Sequence, residues 1–228
     1  MKYLMTQSLL NSYLYQFNCI DDYTEEAHQS FLNTLNKIYS PPNEAIQRGI
    51  DFERLVYEYT DPKNITDIST DEITAAINIA DYIQGGRFQY IASKTINVNG
   101  LDLVLYGRLD ALKAGVIYDI KYTSKYNVGK FIDSPQHPMY LELIPEAKEF
   151  IYLVSNGKYV WTEKYTREET PSIYPIIQNF FEYLNNMNLM QVIRINGKVG
   201  INYGDNTWKN HRYYTRGTIN KSTLYQYR

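Results

Sequence analysis

The chain has 228 residues, 44% of them hydrophobic and 21% charged, and a formal net charge of −2 at neutral pH. That length suits one large domain, or one with an appendage, and it can bury a substantial core. A charge this close to zero excludes a globally basic nucleic-acid binder, and a single cysteine, Cys19, excludes a disulfide framework and a self-contained four-cysteine zinc or iron–sulfur site.

Residues 6 to 18, TQSLLNSYLYQFN, set Leu9, Leu10, Tyr13, Leu14 and Phe17 on one helical face, with Thr6 or Ser8 as the cap. The Thr, Gln, Ser and Asn residues running through the N-terminal segment argue against a signal peptide. A second helix is expected over 24–39, with Ala27, Phe31, Leu32, Leu35 and Ile38 inward, stopped by Pro41-Pro42. Asn43 can cap a third, EAIQRGIDFERLVYEYT, with Ile46, Ile50, Leu55 and Val56 buried. A fourth, DEITAAINIADYIQ, opens at Thr70 or Asp71 and closes at Gly85-Gly86.

Beyond Gly86 the period changes from helical to alternating. RFQYIASKTINVN, LDLVLYGRLDALK and VIYDIKYT read as three strands, turned at Asn99-Gly100 and Ala114-Gly115. Ser134-Pro135 opens a helix, a further hairpin turns at Asn156-Gly157, and PSIYPIIQNFFEYLNNMNLM closes the pattern as a helix with Ile173, Ile176, Ile177, Phe180, Phe181 and Leu184 inward. This order implies an α/β fold, a central mixed sheet flanked by helices, with a domain over residues 1–191. Residues 192–228 form a polar, aromatic extension carrying Lys209, Arg212, Arg216, Lys221 and Arg228. No apolar run approaches the ~18 residues of a membrane span, so a cytoplasmic protein without membrane contact is expected.

Three acid-x-lysine triplets occur: Asp61-Pro62-Lys63, Asp119-Ile120-Lys121 and Glu146-Ala147-Lys148. Only Asp119 and Lys121 sit inside a strand, where the i, i+2 spacing puts both on one face. Alone, the pair reads as a solvent-facing salt bridge. Asp110, at the end of the preceding strand, changes this, because a short hairpin can bring it beside Asp119 to converge on one cation. Mg²⁺ takes oxygen ligands and often only one or two protein carboxylates. Two acids and a lysine suit phosphodiester hydrolysis. Glu53 lies on an amphipathic helix four residues after Gly49, and Gln136 and Tyr140 share a helical face at i, i+4.

Together these residues resemble the RecB-like branch of the PD-(D/E)XK nuclease superfamily, over roughly residues 6 to 165. The matching segments are Gly49 to Glu53, Gly107 to Asp110, Asp119 to Lys121 and Gln136 to Tyr140, and SLLNSYLYQFNC is similar to the family's N-terminal helix. The resemblance implies a restriction-endonuclease-like core with an N-terminal helical segment, and a Mg²⁺- or Mn²⁺-dependent deoxyribonuclease. It further implies a phage or mobile-element exonuclease of recombination or repair, with DNA as substrate and a recombination or helicase protein as partner. By the same resemblance Asp110, Asp119 and the Ile120 carbonyl would hold the metal and Lys121 would be the catalytic lysine. Glu53 would ligate or orient the metal, and Gln136 and Tyr140 would position the scissile strand or support the site. The chain departs from the pattern at Leu109, where many members have proline, and it lacks the cysteines of the iron–sulfur members. A catalytically silent nucleic-acid-binding or assembly protein on the same fold is the alternative.

Overall fold

A computed structural model describes residues 2–19, 21–65 and 70–196 of the chain. Strand β1 (Lys2–Thr6) runs directly into helix α1 (Gln7–Asn18), followed by α2 (Thr24–Leu35), α3 (Glu44–Glu58) and α4 (Asp71–Ile83). Next come β2 (Arg87–Val98), β3 (Leu101–Lys113) and β4 (Val116–Tyr122), then α5 (Gln136–Leu143) and the hairpin β5 (Glu149–Ser155) with β6 (Val160–Thr166). Helices α6 (Tyr174–Asn186) and α7 (Met190–Asn196) complete the described part.

Local chemistry accounts for most boundaries. Thr6, Asn43 and Thr70 cap α1, α3 and α4, their side-chain oxygens accepting the N–H of Leu9, Ile46 and Ile73. Asn99 and Gly100, and again Ala114 and Gly115, have φ between 50° and 82°. Left-handed backbone at both central positions matches the twist of a two-residue hairpin.

The sheet is mixed and six-stranded, in the order β1-β3-β4-β5-β6, with β2 on the other edge of β3. β2 pairs antiparallel along nearly all of β3. The opposite edge of β3 is shared: β1 pairs parallel with Asp102–Tyr106 and β4 antiparallel with Ala111–Lys113. The stretch Gly107–Asp110 therefore pairs with neither. β4 and β5 are parallel and joined through α5, as a crossover requires, and β5 and β6 are antiparallel.

Both faces of the sheet are covered. On one, Leu10 and Tyr13 of α1, Phe31 of α2, Met139 and Tyr140 of α5 and Phe180 of α6 pack on Leu103, Leu105, Ile117 and Phe150. On the other, Phe52 and Val56 of α3 and Ile79 and Ile83 of α4 pack on Ala111, Ile120 and Leu153. The result is an α/β fold with helices on both sides of a central mixed sheet.

Several expectations are corrected. No element was expected before Thr6, yet Tyr3, Leu4 and Met5 are buried in a parallel strand. Ile38 is exposed because α2 ends at Leu35 and Lys37 turns left-handed at φ 56°. Ile46 is exposed and Ile50 and Leu55 are half-buried; α3 buries the expected Val56 together with Phe52, which was not expected. Phe17 is also exposed, though it touches Tyr13 and Tyr183. Helix α7 spans the expected boundary at 191/192 and buries Ile193 in the main core. Residues 197–228, with the five cations noted above, lie outside the described residues.

Candidate active site

The predicted residues meet where β3 loses its neighbours. Along β3, Leu103, Leu105 and Leu109 face the core beneath α5, but Ala111 faces the core beneath α3 and α4. β2 makes the same change: Tyr90 packs with the first core, whereas Phe88 lies against Tyr57 of α3 with ring centroids 5.6 Å apart. No residue is inserted, Tyr90 standing opposite Leu109 and Phe88 opposite Ala111, but the pairing is interrupted at the single step between them. The pleat is therefore turned over at the facing positions Gln89 and Asp110, and Gln89 has φ 50°. Such a distortion re-aims a side chain without inserting a residue.

One further step of the β3–β4 register, beyond Ala111 opposite Tyr118, would set Asp110 against Asp119. The ladder stops there. Ile120 instead donates its N–H to Asp110 Oδ2 at 2.8 Å. A carboxylate thus occupies the place of a main-chain acceptor and is held on the neighbouring strand.

Asp119 is 3% exposed. Lys121 Nζ lies 2.7 Å from its Oδ2, and Gln136, at the first turn of α5, donates its side-chain amide to Oδ1. Tyr140, one turn on, donates its hydroxyl to the Arg108 carbonyl at 3.2 Å. That contact explains Gly107: a Cβ there would meet Tyr140 Cε1 at 2.7 Å and Leu143 Cδ1 at 2.9 Å. Gly107→Ala is expected to push the Tyr140–Leu143 turn of α5 away from β3 and cost about 1–3 kcal/mol, measured by urea denaturation. A variant as stable as the native chain would show that α5 does not need this close approach.

Glu53 reaches the site from α3. Its Oε1 accepts the Gln89 side-chain amide at 2.8 Å, and Tyr57 OH lies 2.9 Å away. The same hydroxyl is 3.2 Å from the Asp110 carbonyl and accepts from Gln89 Nε2 at 2.7 Å. Burial, then the charges of Asp110 and Glu53, push the Tyr57 phenol well up, so it stays a donor. Sequence reading missed both Tyr57 and Gln89. Tyr57 sits one turn after Glu53 on α3, a spacing that could have revealed it; Gln89 carries no such signal.

The charges oppose one another. Burial raises the Asp110 carboxyl well above its ordinary value, the Asp119 and Glu53 charges raise it further, and Lys121 and the Ile120 N–H counter only in part. Burial also raises Asp119, against the pull of Lys121 and Gln136. Burial would lower the Lys121 ammonium, but Asp119 and Asp110, with Glu53, outweigh it and hold its pKa up. Among the described residues no Lys, Arg or His makes an ion pair with Asp110.

This arrangement fits a hard divalent cation. Asp119 Oδ2 is buried with only the Lys121 ammonium, 2.7 Å away, to meet it, and Asp110 is crowded by like charge. Among the described residues no group of three or more His, Cys, Asp and Glu side chains stands at metal-holding spacing. Mg²⁺ needs only one or two carboxylates when water and phosphate complete its shell.

The surrounding scaffold is tied down. Buried Glu163 of β6 accepts from Tyr126 OH at 2.7 Å, from the Phe131 N–H at 3.1 Å and from Tyr165 OH, pinning the segment between β4 and α5. Arg167 donates to the carbonyls of Leu141, Ile144 and Ala147 and closes the far end of α5. His137 stacks on Tyr165, and burial pushes its pKa down to about 4, so it is a neutral core residue at physiological pH.

No family model and no curated protein matches the chain. Among solved structures, one described as the crystal structure of SSO0001 is similar over 81% of this chain and 78% of that one, at 14% identity and a TM-score of 0.48.

Proposed function

We propose that the chain is a divalent-metal-dependent nuclease that hydrolyses DNA phosphodiester bonds, acting on DNA ends. The observation that carries this reading is Asp110 at a break in the sheet, buried beside the Asp119 and Glu53 charges and only partly offset by Lys121 and the Ile120 N–H. Asp110 and Asp119 would hold the metal, with the Ile120 carbonyl and Glu53 as further oxygen donors. Bound Mg²⁺ or Mn²⁺ supplies Lewis acidity and an acidified water.

The chain's own groups do the rest. Lys121, held protonated and 32% exposed, places a positive charge where negative charge develops on a phosphate. Gln136 fixes the rotamer of Asp119, and Tyr140 ties α5 to the strand that carries Asp110. Arg48 donates to Tyr122 OH at 3.0 Å and Lys130 to Thr123 Oγ1 at 2.7 Å, so two more cations stand just past Lys121 on the exit of β4. Lys121 and Lys130, with Arg48 shared with Glu72 at 3.5 Å, are cations that suit a polyphosphate backbone despite the chain's balanced charge.

A second reading has an observation of its own. The Asp119–Lys121 ion pair and the Gln136 amide could serve architecture alone, leaving a silent nucleic-acid-binding or assembly protein. The test is incubation of the full chain with Mg²⁺ or Mn²⁺ and linear or covalently closed duplex DNA. Linear DNA should be degraded, closed circles spared, and chelator should stop the reaction. No cleavage of any DNA form with either metal, or cleavage indifferent to chelator, would sink the proposal.

A further inference from the structure

We infer that Gln89 is the positioning residue of this site: it turns Asp110 out of the pleat and, with Tyr57, holds Glu53 facing it. This deepens the nuclease reading and rests on it. Gln89 lies at the one step where the β2–β3 pairing is interrupted, between Phe88 opposite Ala111 and Tyr90 opposite Leu109, and adopts φ 50°, a left-handed conformation that a side chain such as glutamine rarely takes. Glycine would adopt it at no steric cost, so a glutamine here carries strain that its side-chain contacts help to offset.

Those contacts all lead to the site. The amide donates to Glu53 Oε1 at 2.8 Å and to Tyr57 OH at 2.7 Å, and Tyr57 stands 3.2 Å from the Asp110 carbonyl. One amide therefore links the acid on α3 to the acid on β3. The strand faces also exchange at this residue: Tyr90 packs in one core and Phe88 against the α3 side of the other. A uniformly alternating β2 would return Asp110 to the pleat and take the Gln89 amide away from the Glu53 carboxylate. Groups that orient metal-binding carboxylates in this way typically change metal affinity 10–100-fold when removed.

The test is calorimetric titration of Mn²⁺ into the full chain and its Gln89→Gly, Gln89→Asn and Tyr57→Phe variants, with thermal melts. Gln89→Asn tolerates the left-handed backbone but is one methylene shorter, and Tyr57→Phe keeps the ring against Phe88. All three should melt within a few degrees of the native chain and bind Mn²⁺ at least about tenfold more weakly. In DNA cleavage the Mg²⁺ midpoint should move up by a similar factor while the rate at saturating Mg²⁺ recovers. Mn²⁺ affinity within twofold of native in Gln89→Asn and Tyr57→Phe would overturn the inference while leaving the nuclease reading standing. A native chain that binds no Mn²⁺ overturns both.

Discussion

Asp119→Asn is expected to abolish metal-dependent cleavage, with a rate loss of about 10³-fold or more, equal to several kcal/mol of transition-state stabilisation. The fold should survive. Asparagine keeps the volume of Asp119 and an oxygen to accept the Gln136 amide. Its lost partner Lys121 is 32% exposed and can be rehydrated, so the stability loss should stay near 1 kcal/mol. Lys121→Met is the informative counterpart. It strands a buried carboxylate beside Asp110, where breaking such a pair costs about 3–5 kcal/mol. Added Mn²⁺ should recover much of that stability, since a cation again neutralises Asp119, yet cleavage should not return. Failure of Mn²⁺ to shift the Lys121→Met melt, or full activity in Asp119→Asn, would contradict this ordering.

Asp110→Asn should have the opposite effect on the metal-free protein. Burial and the Asp119 and Glu53 charges hold the Asp110 carboxyl well above its ordinary value of 3.8, so the folded state binds that proton more tightly than the unfolded chain does. Native stability should therefore fall as pH rises from about 4 toward neutrality, and the variant should lack that fall. At neutral pH a gain of about 1 kcal/mol, near 2–4 °C in melting temperature, is expected, because asparagine still accepts the Ile120 N–H without the repulsion. The stabilisation that saturating Mn²⁺ gives the native chain, about 3 kcal/mol at 100 times its dissociation constant, should disappear. Scanning calorimetry at pH 4–8, with and without Mn²⁺, measures both. A variant less stable than native at pH 7 that still responds to Mn²⁺ would show that Asp110 is a structural acceptor and not a ligand.

How much of this was legible depended on whether the signal was local. Thr6, Asn43 and Thr70 announce helix starts because a cap needs only the next three residues, and Asn99-Gly100 announces a turn for a similar reason. The crossover through α5 followed from a helix between two strands. β1 was hidden because a five-residue strand buried on both faces has no alternation to display and abuts a helix directly. Asp119 and Lys121 could be placed on one face from their spacing, and a hairpin brought Asp110 near. The turnover of the pleat at Asp110 could not be anticipated, since period-2 reasoning assumes a regular strand. Gln89 was invisible for that reason: nothing in RFQYIAS marks a left-handed residue, and its role exists only through α3, more than 30 residues away. Glu53 was found by resemblance alone, because on a helix with Asp51, Arg54 and Glu58 its charge is ordinary.

The central claim is that Asp110 and Asp119 share a cation. A crystal of the full chain soaked in Mn²⁺, with anomalous data collected near the manganese edge, tests it directly. The expected result is a single strong anomalous peak within coordination distance of both carboxylates, with Glu53 turned toward it and Lys121 displaced from the Asp119 oxygen it now approaches. The contradicting result is no peak between the two acids, with the Lys121–Asp119 ion pair intact.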